Sequence, residues 1–336
     1  MAKVKTAFFC QNCGSRYSKW MGQCSSCKQW NTLVEEVVKN PNKTITGLSN
    51  SDSKSVALKI EDIDLNNNPR IDLKDNNLIY PNFMNVSNTA LNTTISNSDG
   101  VKVSTIEHLM GALFGIGIDN ALIEIDNEEV PILDGSAKVF IEKILTAGLE
   151  LSNKPIKIIK INKKIEFSDG DRFISIEPST LSLEIDFELK YKNQIIGNQN
   201  NKVKVYEDDL KDIYNSRTYC LFEDIELIKK NGLAKGGSLD NAIVVKDKKI
   251  LNPGGLRNKK EFVNHKILDL AGDFVLSGYN IIGKIICYKG GHELSNQFLK
   301  ELLDNNKEKF SIVEFEEKKV KRVTHKNYPT RIAVNA

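Results

Sequence analysis

The sequence predicts an α+β protein preceded by a small cysteine-bearing unit, and three observations carry that prediction. Strand-like and helix-like segments alternate in two rounds from about Asp72 onward, which packs naturally as sheet-plus-helices layers. Four of the six cysteines fall within the first 30 residues. Between these parts, residues 39–68 are rich in Asn, Ser, Asp and Lys and read as a linker. With 40% hydrophobic and 27% charged residues over 336 positions, the chain can bury real cores and is not a disordered protein. Its 47 Lys+Arg against 44 Asp+Glu leave a charge of +3, so attraction to nucleic acid or anionic lipid must be local. No run approaches the ~20 apolar residues of a membrane span, and the start has too short an apolar stretch for a signal peptide, so the chain reads as cytoplasmic.

In residues 1–38, Cys10, Cys13, Cys24 and Cys27 form two CxxC pairs ten residues apart. Each pair lets two thiolates converge on one ion, and four thiolates close a structural zinc site, although a redox pair or unligated thiols fit the same spacing. Trp20 and Trp30 are expected to pack around this small core. Beyond residue 68, strands are expected at 121–125, 156–167, 173–178, 181–189, 242–245 and 281–289, where β-branched residues alternate or cluster. Helical spacing marks 103–116, 136–148, 206–215, 222–232, 259–278 and 295–305.

Four histidines are few enough to take singly. His265 and Asp269 stand four apart on a predicted helix, with Asp273 a further four along, so all three lie near one face. The pair can supply two zinc ligands, or can be an exposed hydrogen-bonded pair. Glu107 and His108 interrupt an apolar helical stripe. A carboxylate beside a ligand histidine can act as base in a zinc hydrolase; taken alone, the pair reads first as a helix-surface Glu beside a satisfied His. His292 follows an apolar strand and two glycines. The run from His292 is not HExxH, because Asn296 occupies the second histidine position. His325 sits in a charged tail and reads as a solvated residue. Cys220 and Cys287 read as small buried apolar residues.

The stretch KTAFFCQNCGSRYSKWMGQCSSCKQWNTLVEE resembles the amino-terminal zinc ribbon of the RadA family of bacterial DNA-repair ATPases. An ATPase core would need GxxxxGK[ST] to cradle phosphates; the glycines of 232–238 have the wrong spacing, so ATPase function is unsupported. The runs STIEHLMGALFGIGIDNALIEID, VPILDGSA, SRTYCLFEDIE, GLAKGGSLDNAIVV, LRNKKEFVNHKILDLAGD and YKGGHELSN, in collinear order, resemble the UDP-3-O-acyl-N-acetylglucosamine deacetylase family from about Arg70 to the C-terminus.

That second resemblance implies a zinc amidase of the committed step of lipid A synthesis, acting on a UDP-linked acylated amino sugar. It makes His108, His265 and Asp269 the ligands of a catalytic zinc, Glu107 the general base and His292 the general acid, with Asp273 orienting its imidazole. It places Thr218 beside the developing oxyanion and Lys266 on the substrate. Tyr219, Gly236, Gly237 and Ser238 fall in the segment of the acyl-chain passage, and Leu91 at a further substrate-side position. One catalytic and one structural zinc are therefore expected. The implied fold is two similar sheet-plus-helices halves in a layered sandwich, at 69–155 and 156–330, preceded by the zinc ribbon. The ribbon and linker stand where the family begins with strand-forming sequence, so the first half is expected to be N-terminally truncated. A monomer is expected, with nucleic acid reached only through the ribbon. The competing expectation is a non-enzymatic or inactive chimera whose ribbon binds a partner or DNA.

Overall fold

The computed structural model describes residues 6–10, 16–23, 25, 28–30, 33–37, 78–150, 152, 154–180, 182–230, 236–315, 321–325 and 328–333. The chain divides into two compact units, Met1–Leu58 and Lys59–Ala336.

In the first unit, β1 (Thr6–Cys10) is the middle of an antiparallel three-stranded sheet between β2 (Arg16–Tyr17) and β3 (Leu33–Val37). Phe8 pairs with Tyr17 on one side and Glu35 on the other. Trp20 and Trp30, expected around the small core, are 57% and 67% exposed. Both rings lie over Gly22, which has no side chain to hold them off, so they cover a loop from outside. Cys10 ends β1. Cys13, Cys24 and Cys27, and the expected linker at 39–68, lie outside the described residues.

In the second unit β4 (Val86–Asn88), β5 (Thr94–Ser96) and β6 (Lys102–Val103) form a short antiparallel meander. Two helices follow, α1 (Glu107–Ile116) and α2 (Lys138–Ala147). Every residue of α1 is buried, as its nearly unbroken apolar sequence requires, and Gly117 ends it in the left-handed region at φ 73°. The strand expected at 121–125 is absent. Alternating apolar residues hold a strand only when a neighbour takes their backbone hydrogen bonds, and none of the described residues does, leaving Leu122 62% exposed.

The remainder runs β7 (Ile156–Ile161), β8 (Ile165–Asp169), β9 (Arg172–Glu177), β10 (Leu183–Lys190), β11 (Asn198–Lys204), α3 (Lys211–Tyr214), β12 (Tyr219–Leu221), α4 (Ile225–Lys230), β13 (Ile243–Lys246) and β14 (Lys249–Ile250). It continues through α5 (Glu261–Val275), β15 (Asn280–Tyr288), α6 (His292–Lys300) and β16 (Phe310–Phe315) to the antiparallel hairpin of β17 (Lys321–His325) and β18 (Tyr328–Ala333). Seven strands make the main sheet, ordered β11-β10-β15-β7-β16, with the β8–β9 hairpin joined through β9 to β15. The middle strand β15 has β10 parallel along one side and, along the other, β7 at Asn280–Ile282 and then β9 at Lys284–Tyr288. Gly283 sits at that handover, where an added Cβ would press on Ile161 and Ile176. Helix α5 packs on β10, β11, α1, α3 and α6, which buries 13 of its 15 residues. Strands β12, β13 and β14 form a small separate sheet. The α+β expectation holds, and no helix among the described residues is long and apolar enough to cross a membrane.

Candidate active site

Helices α1 and α5 cross closely because two glycines let their backbones meet. A Cβ on Gly272 of α5 would collide with the Glu107 carbonyl oxygen, and one on Gly111 of α1 would press on Leu268. This crossing brings Glu107 and His108, in the first turn of α1, against the α5 stripe of His265, Asp269 and Asp273. All five are buried, against the alternative of exposed polar pairs.

His108, His265 and Asp269 converge, their candidate ligand atoms lying within 4.8 Å of one another. Asp269 Oδ1 stands 3.5 Å from His108 Nε2 and 3.3 Å from His265 Nε2. A tetrahedral ion with bonds of ~2.0–2.1 Å separates its ligand atoms by roughly 3.3 Å, so these spacings fit one. His265 Nδ1 donates to the Ser216 carbonyl at 3.1 Å, which fixes the tautomer and leaves Nε2 as the lone-pair nitrogen. Asp269 Oδ2 accepts from Lys266 Nζ at 2.8 Å. Asp269 Oδ1 is buried without a hydrogen-bond partner, an orphaned acceptor that an ion would satisfy. Burial, only partly opposed by the Asp269 charge, brings His265 down to about 3, so it is neutral at ordinary pH. Burial works against the Asp269 charge too, but its neighbours, among them the Lys266 ammonium on Oδ2, outweigh it and hold the carboxyl well below its usual range. A neutral imidazole and an ionised carboxylate are the forms a metal takes.

Beside this cluster stand the two groups expected to move protons. His292, the first residue of α6, has Nε2 3.9 Å from Glu107 Oε1 and Nδ1 at 3.0 Å from Asp273 Oδ2. Burial raises the Glu107 carboxyl, against the lowering influence of His292 and His108. For His292, burial disfavours the imidazolium, but Asp273, then Glu107 and Asp269, outweigh it and push the pKa up to about 9.

The other expected residues divide. Tyr219, which opens β12, packs its ring 6.1 Å from that of His265 and 5.0 Å from Phe262, with Lys266 Nζ 5.6 Å from its centre. Thr218 precedes it, its N–H donating to the Gly135 carbonyl at 2.8 Å and its carbonyl accepting from Ile243 at 2.8 Å. Lys266 is held on Asp269, so any hold on substrate must share that ammonium. Leu91 is 63% exposed in the left-handed region at φ 71°, two positions from the buried Thr93. Gly236, Gly237 and Ser238 lie in an exposed loop that Asn241 ties together through the Ser238 N–H and the Gly236 carbonyl. Among the described residues, no hydrogen bond or ion pair joins that loop to the histidine cluster.

The sequence reading missed three supports. Ser216 fixes His265 through a carbonyl, which no side-chain motif announces. Thr93 bonds both Glu107 and Asp273. Glu261 and Arg217 form a buried ion pair at 2.8 Å under the same turn. Only the carboxylate at the start of a predicted helix gave any signal, and that position reads as an ordinary helix-start acid.

An α+β fold that buries two histidines and a carboxylate beside a second carboxylate and a His–Asp pair is the architecture of a hydrolase. Residues 41–304 match the UDP-3-O-acyl N-acetylglycosamine deacetylase family, and residues 8–35 match a rubredoxin metal binding domain. The chain belongs to the UDP-3-O-acyl N-acetylglycosamine deacetylase family. Among its relatives, the UDP-3-O-acyl-N-acetylglucosamine deacetylase of Shewanella violacea is 37% identical over 84% of this chain and 94% of that protein. The enzymes of the same name from Histophilus somni and Pasteurella multocida are 45% and 44% identical, each over 69% of this chain and 77% of the relative. The family match begins at residue 41, so it takes in most of the stretch read as a linker.

Proposed function

We propose that the chain hydrolyses the acetamide of UDP-3-O-acyl-N-acetylglucosamine to acetate and the free 2-amino sugar nucleotide, using zinc, as the committed step of lipid A synthesis. The observation that carries this reading is the convergence of His108, His265 and Asp269 with Glu107 and His292 alongside. His108, His265 and Asp269 would hold the ion. A zinc ion bound there lowers the pKa of water toward ~7 and polarises the acetamide carbonyl, which is otherwise a poor electrophile.

Glu107 takes the proton from the attacking water as the new C–O bond forms. Thr218 donates a hydrogen bond to the oxyanion. His292, oriented by Asp273, gives its proton to the departing nitrogen as the C–N bond breaks. Both groups are shifted upward, and between the two titrations Glu107 stands ionised as a base while His292 keeps its proton as an acid. Lys266 contacts the sugar nucleotide, while Leu91, Tyr219, Gly236, Gly237 and Ser238 line the path of the acyl chain. The enzyme works as a cytoplasmic monomer, and its ribbon carries a second, structural zinc on Cys10, Cys13, Cys24 and Cys27.

Metal analysis of the purified full chain, paired with acetate release from the UDP-linked substrate, tests the reading. Two zinc ions per chain and acetate formation are expected; metal-loaded protein that releases no acetate overturns it in favour of an inactive chimera. Cys24→Ala should remove one zinc and leave turnover nearly unchanged, because the ribbon closes its site without an open position for chemistry. The pH profile follows from the two shifts. Activity rises on the acid side as the raised carboxyl of Glu107 loses its proton, and falls on the alkaline side as His292 loses its own near about 9. Asp273→Asn removes the strongest support of the imidazolium, so the alkaline limb should move to lower pH while the acid limb stays.

A further expectation concerns residues 39–68. The family match begins at 41, inside the stretch read as a linker, and a replacement tells the two readings of these residues apart. Replacing 39–68 by a Gly/Ser tract of equal length should lower both Tm and kcat/KM. Unchanged values would mean that the segment is only a tether and that the truncated first half suffices.

A further inference from the structure

We propose that Thr93 is a positioning residue that fixes the base and acid arms of the site to each other, an inference that rests on the catalytic reading above. Three of its polar groups are committed at once. Its N–H donates to Glu107 Oε2 at 3.0 Å, its carbonyl accepts from the Ile106 N–H at 3.3 Å, and its hydroxyl donates to Asp273 Oδ1 at 2.7 Å. Asp273 in turn meets His292 Nδ1 with both carboxylate oxygens, at 3.1 and 3.0 Å. One residue, 2% exposed, thus joins the carboxylate on α1 to the His–Asp pair of α5 and α6.

The strand end that carries Thr93 is itself held. Asn92 donates to Thr105 Oγ1 at 3.1 Å, Thr94 donates to Asn92 Oδ1 at 3.2 Å, and Thr105 donates to Glu129 Oε1 at 3.1 Å. Leu91 and Thr105 flank this web in the left-handed region, at φ 71° and 60°, a conformation that non-glycine residues keep only where the surroundings over-determine it. A hydroxyl held this firmly sets the plane of the Asp273 carboxylate, and with it the direction in which the His292 ring presents Nε2. The N–H bond to Glu107 belongs to the backbone, so a side-chain change loosens the acid arm and leaves the base arm in place.

Thr93→Val removes the hydroxyl and keeps the shape, whereas Thr93→Ser keeps the hydroxyl and loses the methyl. In the full, metal-loaded chain the Val variant should lose kcat by about 10- to 100-fold, the range for removing an outer partner of a site, with KM and metal content unchanged. The Ser variant should recover most of that loss. The His292 Nδ1–H proton resonance should shift in Val and stay at the wild-type position in Ser. A Val variant with wild-type kcat and resonance, or a Ser variant as poor as Val, overturns the proposal and leaves Thr93 a packing residue. If the wild-type chain releases no acetate, the catalytic reading fails instead, and the resonance comparison still decides whether Thr93 positions His292.

Discussion

Glu107→Gln should keep the metal content of the wild type and lose turnover by ~10²- to 10⁴-fold, the usual contribution of a positioned base. The amide can still accept the Thr93 N–H bond that Glu107 Oε2 takes at 3.0 Å, so the helix start and the ring of His108 beside it keep their places. What disappears is the ability to take a proton. His265→Ala should behave in the opposite way. It deletes one of three converging donors, so zinc content falls, and activity falls with it. Metal analysis and steady-state kinetics on the two purified variants separate the roles; equal metal loss in both would show that Glu107 is a ligand and not a base.

Glu261→Ala should be the most damaging substitution away from the ligands. Its carboxylate is fully buried and accepts from the Arg217 backbone N–H at 3.1 Å, Arg217 Nε at 2.8 Å and Arg217 Nη2 at 3.3 Å, and from the Arg257 N–H. Removing it strands a buried guanidinium, which costs about 3–5 kcal/mol. For a domain of this size that corresponds to a fall in Tm on the order of 10 °C. The damage should also reach the metal site. Arg217 follows Ser216, whose carbonyl fixes His265, so a loosened turn frees the imidazole to rotate. Differential scanning calorimetry with a zinc-affinity titration checks both parts. Glu261→Gln, which keeps hydrogen-bonding oxygen and shape, should show a smaller loss in each, and an unchanged zinc affinity in Glu261→Ala would break the link between the ion pair and the ligand.

Local periodicity settled a good part of this protein in advance. The apolar run of α1, the 15-residue stripe of α5 and the β-branched strands β7, β10 and β15 were legible because each pattern is set by the geometry of a single element. The four-residue spacing of His265, Asp269 and Asp273 was legible for the same reason, and the collinear motifs pointed to the family. Other features depended on partners. Strand β11, Asn-Gln-Asn-Asn-Lys-Val-Lys, carries almost no strand pattern and exists because β10 offers it a full antiparallel register. Residues 121–125 carry the pattern and form no strand, since no described neighbour pairs with them. Thr93 sits in a polar run that reads as surface, yet it bonds Asp273 from 180 positions away. The sequence by itself determined the elements whose pattern is local, and which of their side chains share a face, because backbone repeat and side-chain chemistry are local. Only the tertiary structure decided which faces meet: the glycine-to-backbone crossing of α1 and α5 sets the distances between donors, burial there keeps His265 neutral, and the neighbours of Asp269 keep its carboxylate ionised.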